Sequence, residues 1–328
     1  FKQKTAYEIR LSLVGSEMCI RDSHHPTLPL VALHAAPSLS GETNTLREPL
    51  RPIACWAVGD VRFDFDSSFV LPDLARETGA LERLRRTHAR GALGPSLTVF
   101  GHADPVGADA YNKTLSGRRA QAIHALLTRR VDRWEHLHDH PFSADAWGSR
   151  QERTMLRALG HDGTAATHDF QRNHGLTPDG IIGPLTRREL FSAYMDAICV
   201  DDDRKPFAVP TTEFLGGGAD LGGKADFQGC GELNPSLLLS ESELSTLPKP
   251  KRDHENADNR RILVFLFRPG FTVPIDRWPC PRASETDEAC HRRLFSDGPA
   301  RRKPGAARRL YKQTRDTFAG WRSAMGAV

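Results

Sequence analysis

The sequence lacks the long apolar run of a membrane-spanning helix. Its longest compact apolar stretch, Ile262 to Phe267, is strand-sized, whereas a spanning helix needs roughly 18 residues or more. Hydrophobic residues make up 39% and charged residues 26% of the 328-residue chain, an ordinary balance for a water-soluble protein. The composition therefore excludes a membrane-embedded chain, and the length predicts two or three domains.

Cysteines at metal-binding or redox spacing are also absent. None of the six cysteines lies in a Cys-x-x-Cys pair, so neither a zinc ribbon nor a thioredoxin-type motif is indicated. Cys280 and Cys290 lie ten residues apart in a proline-rich, polar stretch. They would close a small disulfide loop if the protein is exported to an oxidising compartment; two separate thiols are the alternative.

Motifs of catalytic and nucleotide-binding sites are missing as well. The chain has no HExxH, GxSxG, P-loop or GxGxxG motif, each of which carries a defined chemistry. His136, His138 and His140 alternate, which on a strand would place three imidazoles on one face, but their sequence context favours a solvated loop. We therefore expect no enzyme, no cofactor and no metal site.

The net charge of +4 is too small to indicate nucleic acid as a partner. The basic excess lies in residues 297–328, where eight basic side chains accompany two acidic ones. Such a tail is either a solvated chain end or an electrostatic contact with an acidic polymer or envelope surface.

The first 58 residues contribute little to the fold prediction. Residues 1–23 resemble a translated sequencing adaptor, an artefact that we leave out of the fold argument, so an export signal is not visible. Residues 24–58 are rich in Pro, Ser and Thr and are interpreted as a linker.

A strand–helix–strand–helix pattern occupies residues 59–130. The alternation of Val61–Phe65 is typical of a half-buried strand, and an amphipathic helix follows to about Arg90. A second strand at 96–100 is closed by glycine, and a second helix runs from about 110 to 129.

The next segment, 145–198, contains three helical patterns and no strand. A glycine-containing linker at 199–224 separates it from renewed strand character in 225–268, whose strongest strand is the apolar run noted above. An unbroken apolar strand suggests burial on both faces. The predicted fold is therefore an α/β (α+β) βαβα-ββ domain with an inserted small all-α three-helix domain, followed by a C-terminal extension with a basic tail at 269–328.

The second helix carries an arginine on its apolar face. Arg119 lies among apolar residues at helical spacing, and a buried guanidinium must find an anion. The preceding loop offers Asp104. Together they could hold a zwitterion, because the acid takes an ammonium and the guanidinium takes a carboxylate with two hydrogen bonds. An internal Asp104–Arg119 salt bridge without a ligand is the alternative.

Several short motifs, in the right order, resemble the OmpA/MotB-like peptidoglycan-associating domain. They are FDSS at 65–68, GHADPVG at 101–107, YNKTLSGRRA at 111–120, GCGELNP at 229–235 and NRRI at 259–262. The sequence departs from the family pattern at Ala103, where threonine is commoner, and at Cys230, where an aromatic residue is usual.

This resemblance implies a binding site for the diaminopimelate residue of the peptidoglycan stem peptide. By position, Asp104 and Arg119 would clamp the diaminopimelate, and Asn112 and Arg261 would be neighbours of the pocket.

The inserted segment resembles the three-helix peptidoglycan-binding domain that often accompanies wall hydrolases. The resemblance rests on LRALG at 156–160, DFQRNHGL at 169–176 and DGIIGPLT at 179–186. These motif residues are mostly architectural, so no ligand contact is assigned to them.

The two resemblances predict a non-catalytic peptidoglycan-binding protein that anchors to the cell wall. Its location would be the periplasm or the outer-membrane side of a Gram-negative envelope, and two weak wall contacts on one chain would raise the apparent affinity. A peptidoglycan hydrolase is one alternative. Another is a structural component of an envelope-spanning secretion machine, with other envelope proteins as partners.

Overall fold

The computed structural model describes residues 52–233, 235–278, 280–286 and 305–310. The strands are β1 (Ala54–Gly59), β2 (Ser96–His102), β3 (Phe227–Gly229), β4 (Leu237–Leu238), β5 (Arg261–Phe267) and β6 (Arg309–Leu310). The α-helices are α1 (Thr78–His88), α2 (Asp109–Thr128), α3 (Val131–Asp139), α4 (Ser149–Ala158), α5 (Ala166–Asn173), α6 (Pro184–Ile198), α7 (Glu241–Thr246) and α8 (Lys249–Glu255). The chain is thus a mixed helix-and-sheet protein, as predicted.

The main sheet has four strands in the order β1-β5-β2-β3. Strand β5 runs antiparallel to both β1 and β2, whereas β3 runs parallel to β2. All seven residues of β5 are buried, which confirms the burial predicted from its apolar run. The connection between the parallel strands β2 and β3 contains α2 and the whole helical segment α3–α6.

The predicted strand at 61–65 is wrong. The strand is β1, which begins at Ala54 inside the segment interpreted as a linker and ends at Gly59, and a short 3-10 turn follows at Asp60–Arg62. Phe63 forms an isolated bridge with Val70, while Phe65 is 90% exposed. Because Phe63 is buried and Phe65 is exposed, this loop shows the same alternation of apolar and polar positions as a half-buried strand.

Side chains alternate along the sheet between two hydrophobic cores. On one face, residues such as Trp56, Val99 and Val264 pack with buried residues of the helices, and this cluster extends without interruption to Phe170 and Tyr194 in the helical segment. The sequence predicted a small separate domain there. In the structure, the helical segment shares its core with the sheet.

The opposite face of the sheet is covered by the beginning of the C-terminal extension. Phe100 and Phe265 pack there with Trp278, whose indole Nε1 donates a 3.0 Å hydrogen bond to Gln228 Oε1. This part of residues 269–328, for which the sequence suggested no role, therefore completes the α/β unit. Cys280 belongs to the same core, but Cys290 lies outside the described residues and the disulfide stays a prediction.

Helix α2 packs unusually close to the sheet. A Cβ built on Gly101 of β2 would lie 2.0 Å from the carbonyl oxygen of Ser116, and one on Gly229 of β3 would lie 2.5 Å from the backbone nitrogen of Gly117. The absence of side chains at these positions lets α2 lie directly on the strands. The close approach sets the depth at which Arg119 enters the protein.

Two further predictions concern α3 and the chain ends. The predicted loop around His136 is helix α3, because Trp134 and Leu137 at helical spacing are buried in the core.

In the tail, Arg308 is ion-paired with Glu243 and Glu255. The adaptor-like segment, most of the linker and most of the tail lie outside the described residues. Within the described part, none of the helices has both the length and the hydropathy to cross a membrane.

Candidate functional site

The candidate site lies at the edge of the main sheet where β1 and β2 end and β5 begins. Because β5 is antiparallel to both neighbours, Gly59 of β1 and His102 of β2 are both in register with Arg261. The residues just outside the strands, Asp60 and Arg260, therefore lie at the same edge as the loop that follows β2.

Four charged side chains form one alternating network there. Asp104 Oδ2 accepts a 2.6 Å hydrogen bond from Arg260 Nη1, and Arg260 Nε donates to Asp60 Oδ2 at 2.7 Å. Asp60 Oδ1 in turn accepts from Arg119 Nη1 at 2.5 Å. Burial opposes the charge of Arg260, but Asp60 and Asp104 outweigh it and raise the pKa of this guanidinium.

Arg119 is the deepest member of the network. It is 5% exposed, its Nε donates to the carbonyl oxygen of Ser67 at 2.8 Å, and its guanidinium carbon lies 4.9 Å from the ring centre of Phe63. Within the described part of the chain, no hydrogen bond involves its Nη2. The guanidinium is therefore fixed through Nε and Nη1, and Nη2 is left without a partner among the described residues.

The structure brings Asp104 and Arg119 into the same network but does not pair them. Among the described ion pairs, Arg119 is bound to Asp60 and Asp104 to Arg260. The direct Asp104–Arg119 salt bridge considered as an alternative is thus replaced by a chain of three salt bridges. The side-chain exposures of 25% for Asp60, 23% for Arg260 and 14% for Asp104 leave the chain open to solvent on one side.

Asn112 holds the loop that carries Asp104. Its Nδ2 donates to the carbonyl oxygens of Asp104 at 3.1 Å and Val106 at 3.2 Å. The Val106 backbone N–H donates to Asp104 Oδ1 at 3.0 Å. The predicted pocket neighbour Asn112 therefore fixes the orientation of the acid through the backbone.

Arg261, the other predicted neighbour, contacts Asn259 and His102. It is buried, its Nη1 donates to the Asn259 carbonyl oxygen, and it stands beside His102, whose pKa is lowered by burial and then by the charge of Arg261. Successive residues at a strand start point to opposite sides, so Arg260 reaches the site and Arg261 does not.

Sequence reasoning missed Asp60 and Arg260. Arg260 lies within the quoted NRRI motif, and the period-two rule for strands applied to this motif would have separated it from Arg261. Asp60 was missed because the first strand was placed too late in the chain, which hid the fact that this aspartate directly follows a strand.

The loop that contacts Arg119 through Ser67 carries a third acid, Asp66, and an exposed aromatic residue. Asp66 Oδ1 accepts a 2.6 Å hydrogen bond from the Tyr111 hydroxyl, and burial together with Asp66 raises the pKa of Tyr111 to about 12. Tyr111 also stacks on Phe142, with ring centres 5.3 Å apart. The neighbouring Phe65 is almost fully exposed.

The three alternating histidines do not form a strand face. Helix α3 stacks the rings of His136 and His140 with centres 4.2 Å apart, and His138 contacts Asp139. Across the described ranges, no group of three or more His, Cys, Asp or Glu side chains is arranged to hold a metal ion.

Comparisons with known proteins give a partial match. No family model matches the chain. Outer membrane porin F of Pseudomonas aeruginosa is 41% identical over 68 residues, which is 21% of this chain and 18% of the porin. Outer membrane porin F of Pseudomonas fluorescens is 39% identical over 70 residues, 21% of this chain and 20% of the porin.

The chain therefore spans about a fifth of the length of the curated relatives it matches. The partial homology supports an OmpA-like domain and carries no argument about the helical insert.

Proposed function

We propose that this protein binds peptidoglycan in the cell envelope, without cleaving it, by holding the zwitterionic end of a stem-peptide diaminopimelate. One observation carries the proposal: Asp104, Arg260, Asp60 and Arg119 alternate in charge along a partly exposed edge of the sheet. The partial homology with outer membrane porin F supports the location in the envelope.

The free end of a diaminopimelate side chain carries an ammonium and a carboxylate on one carbon atom. The carboxylate would accept hydrogen bonds from Arg119 Nη2 and from Arg260. The ammonium would lie among the carboxylates of Asp60, Asp104 and Asp66. Each such charge-assisted contact contributes about 1.5–3 kcal/mol, so a pair of contacts suits a weak site on a periodic polymer.

The internal salt bridges make the site preorganised. Asp60 bridges Arg119 and Arg260 and holds both guanidinium groups in place, and together with Asp104 it balances their charge, so little side-chain freedom is lost when a ligand arrives. The network also favours ligands that carry both charges. A ligand with only an amine would make no contact with the arginines, and a ligand with only a carboxylate would make none with the aspartates.

The decisive experiment compares two stem tripeptides that differ at the third residue. One contains diaminopimelate and the other lysine, which has the amine but lacks the second carboxylate. Isothermal titration with the full chain should give at least roughly tenfold tighter binding for the diaminopimelate peptide. Arg119→Ala should weaken that binding by one to two decades and abolish the difference between the peptides.

Arg157→Ala is the matched control, because Arg157 is an exposed α4 residue paired with Asp162, away from the network. Equal affinity for the two peptides, or unchanged binding by Arg119→Ala, would refute the clamp. A zymogram with purified sacculi tests the non-catalytic part of the proposal: cleared zones would identify a hydrolase instead.

A further inference from the structure

One buried carboxylate connects the helical insert to the candidate site. Asp145 lies between α3 and α4 and is 0% exposed. Its Oδ1 accepts hydrogen bonds from Ser67 Oγ at 2.6 Å and the Ser68 backbone N–H at 2.7 Å, and its Oδ2 accepts from Ser68 Oγ at 2.7 Å. Trp147 Nε1 donates to it at 3.2 Å, and Arg118 is its ion-pair partner.

Ser67 and Ser68 belong to the loop at residues 63–70, and this loop also supplies a hydrogen-bond acceptor for Arg119, the arginine of the proposed binding site. Ser67 binds Asp145 through its hydroxyl and Arg119 through its carbonyl oxygen, the latter at 2.8 Å. The hydroxyl oxygen also accepts from the Phe69 backbone N–H at 3.1 Å. Only one residue therefore separates the insert from the guanidinium of the clamp.

The insert holds the other end of this loop as well. Asp64 is ion-paired with Arg150 of α4 and accepts a 2.9 Å hydrogen bond from Gln151 Nε2. The loop is closed by the Phe63–Val70 bridge and by backbone hydrogen bonds from the Asp64 N–H to the Phe69 carbonyl oxygen and from the Ser67 N–H to the Asp64 carbonyl oxygen. Side chains of the helical segment hold this closed turn at Asp64, Ser67 and Ser68 and so fix its position.

We infer that the helical insert is a brace for the clamp, and that Asp145 is a positioning residue that aims Arg119 through Ser67. This inference rests on the proposed function of the clamp. It assigns the insert a task in the first binding site, distinct from the second wall contact that its sequence resemblance suggested. Without the Asp145 carboxylate, three buried donors of the loop lose their acceptor and the Ser67 carbonyl is no longer fixed.

The test is the ratio of affinities for the diaminopimelate and lysine tripeptides in Asp145→Asn. The amide keeps the shape of the side chain but replaces one acceptor oxygen by a donor. Arg119 binds the carboxylate that diaminopimelate has and lysine lacks, so a misplaced Arg119 lowers the ratio of the two affinities. We expect a fall of about five- to tenfold. A loss of folded protein alone would lower both affinities equally and leave the ratio unchanged.

Asp162→Asn is the control, because Asp162 belongs to the same segment but is exposed and bonded to Arg157 and Gly163. Ser67→Ala is the second variant, should Asp145→Asn not fold: it removes the hydroxyl contact and leaves the other bonds of Asp145. A ratio unchanged in the folded variants would overturn the brace. A wild-type ratio of one would instead refute the clamp itself.

Discussion

Arg118 and Arg119 are consecutive residues of α2, yet they enter two networks of opposite character. Arg118 pairs with Asp145, which is fully buried and surrounded by hydroxyl, amide and indole donors. Arg119 pairs with Asp60 in a chain of charges whose other three members are partly exposed. A helix turns by about 100° per residue, so neighbouring arginines face different surroundings.

The comparison shows how a structural ion pair differs from the candidate ligand site. In the closed network, burial opposes the charge of Asp145, but Arg118 and the donors of Ser67 and Ser68 outweigh it and lower its pKa. In the open network, Arg119 keeps a nitrogen without a described partner. A fully saturated network stabilises the fold, whereas a network with an unused donor has a group that a ligand could engage.

The largest expected effect is on stability, from removal of the buried acid. Asp145→Ala leaves the Arg118 guanidinium without its carboxylate, and breaking a buried pair in this way costs about 3–5 kcal/mol. Asp104→Ala in the partly exposed network should cost about 1 kcal/mol. Urea unfolding of both variants measures the difference. Equal losses would show that burial does not distinguish the two networks.

A third buried side chain of α2, His124, extends the comparison with Arg118 and Arg119, because its ring has no hydrogen-bond partner among the described residues. His124 is packed between Phe214 and Phe227, with ring centres 4.5 and 4.9 Å away, and neither ring nitrogen has a hydrogen-bond partner among the described residues. Burial, followed by the charges of Arg133 and Arg130, lowers its pKa to about 3.

The unfolded chain binds this proton below pH about 6.5, whereas the folded protein binds it only near pH 3. Stability should therefore be full at neutral pH and fall by up to about 1.4 kcal/mol per unit as the pH drops through this window. His124→Leu should flatten that part of the profile, measured by urea unfolding at several pH values. An unchanged slope would assign the acid sensitivity to other groups.

A smaller effect is expected at the rim of the open network. Tyr111→Phe removes the hydroxyl that donates to Asp66, but Asp66 is only half-buried and water can replace the donor. The free energy of unfolding should fall by about 0.5–1 kcal/mol. Ser68→Ala, which removes a donor from the closed network, is the comparison. A larger loss from Tyr111→Phe than from Ser68→Ala would reverse the assignment of the two networks.

The smallest effect should come from salt. Raising NaCl from about 50 mM to about 300 mM screens partly exposed charges but hardly affects buried ones. Affinity for the diaminopimelate peptide should fall a few-fold, while the urea midpoint changes little. Salt-independent binding, measured by titration, would indicate that the ligand is held by apolar contacts instead.

Much of the fold could be predicted from periodicity. Strand β5 and helix α2 lie within a residue or two of their predicted bounds, and the three helical patterns predicted in 145–198 correspond to α4, α5 and α6, because each has a strong pattern of its own. Strand β1 was misplaced since a loop with Phe63 inside and Phe65 outside imitates a strand. Helix α3 was not predicted because only Trp134 and Leu137 of its nine residues are buried, which makes its apolar pattern weak.

The candidate site was predicted in part. Asp104 and Arg119 were identified by their positions in the motifs, and both belong to the network. Asp60 and Arg260 complete it but come from segments 200 residues apart, and no local pattern connects them. The pairing of β5 with both β1 and β2 brings them to one edge.

By itself, the sequence determined the elements and the residue types: an apolar central strand, a helix with an arginine on its buried face, and a loop with an acid before it. These features depend on the spacing of residue types along the chain, which the sequence shows directly. Only the tertiary structure decided which charges pair, because pairing depends on the order of strands and the depth of α2. It also decided that the insert and the C-terminal extension share the cores of the sheet, since burial is a property of the assembled chain.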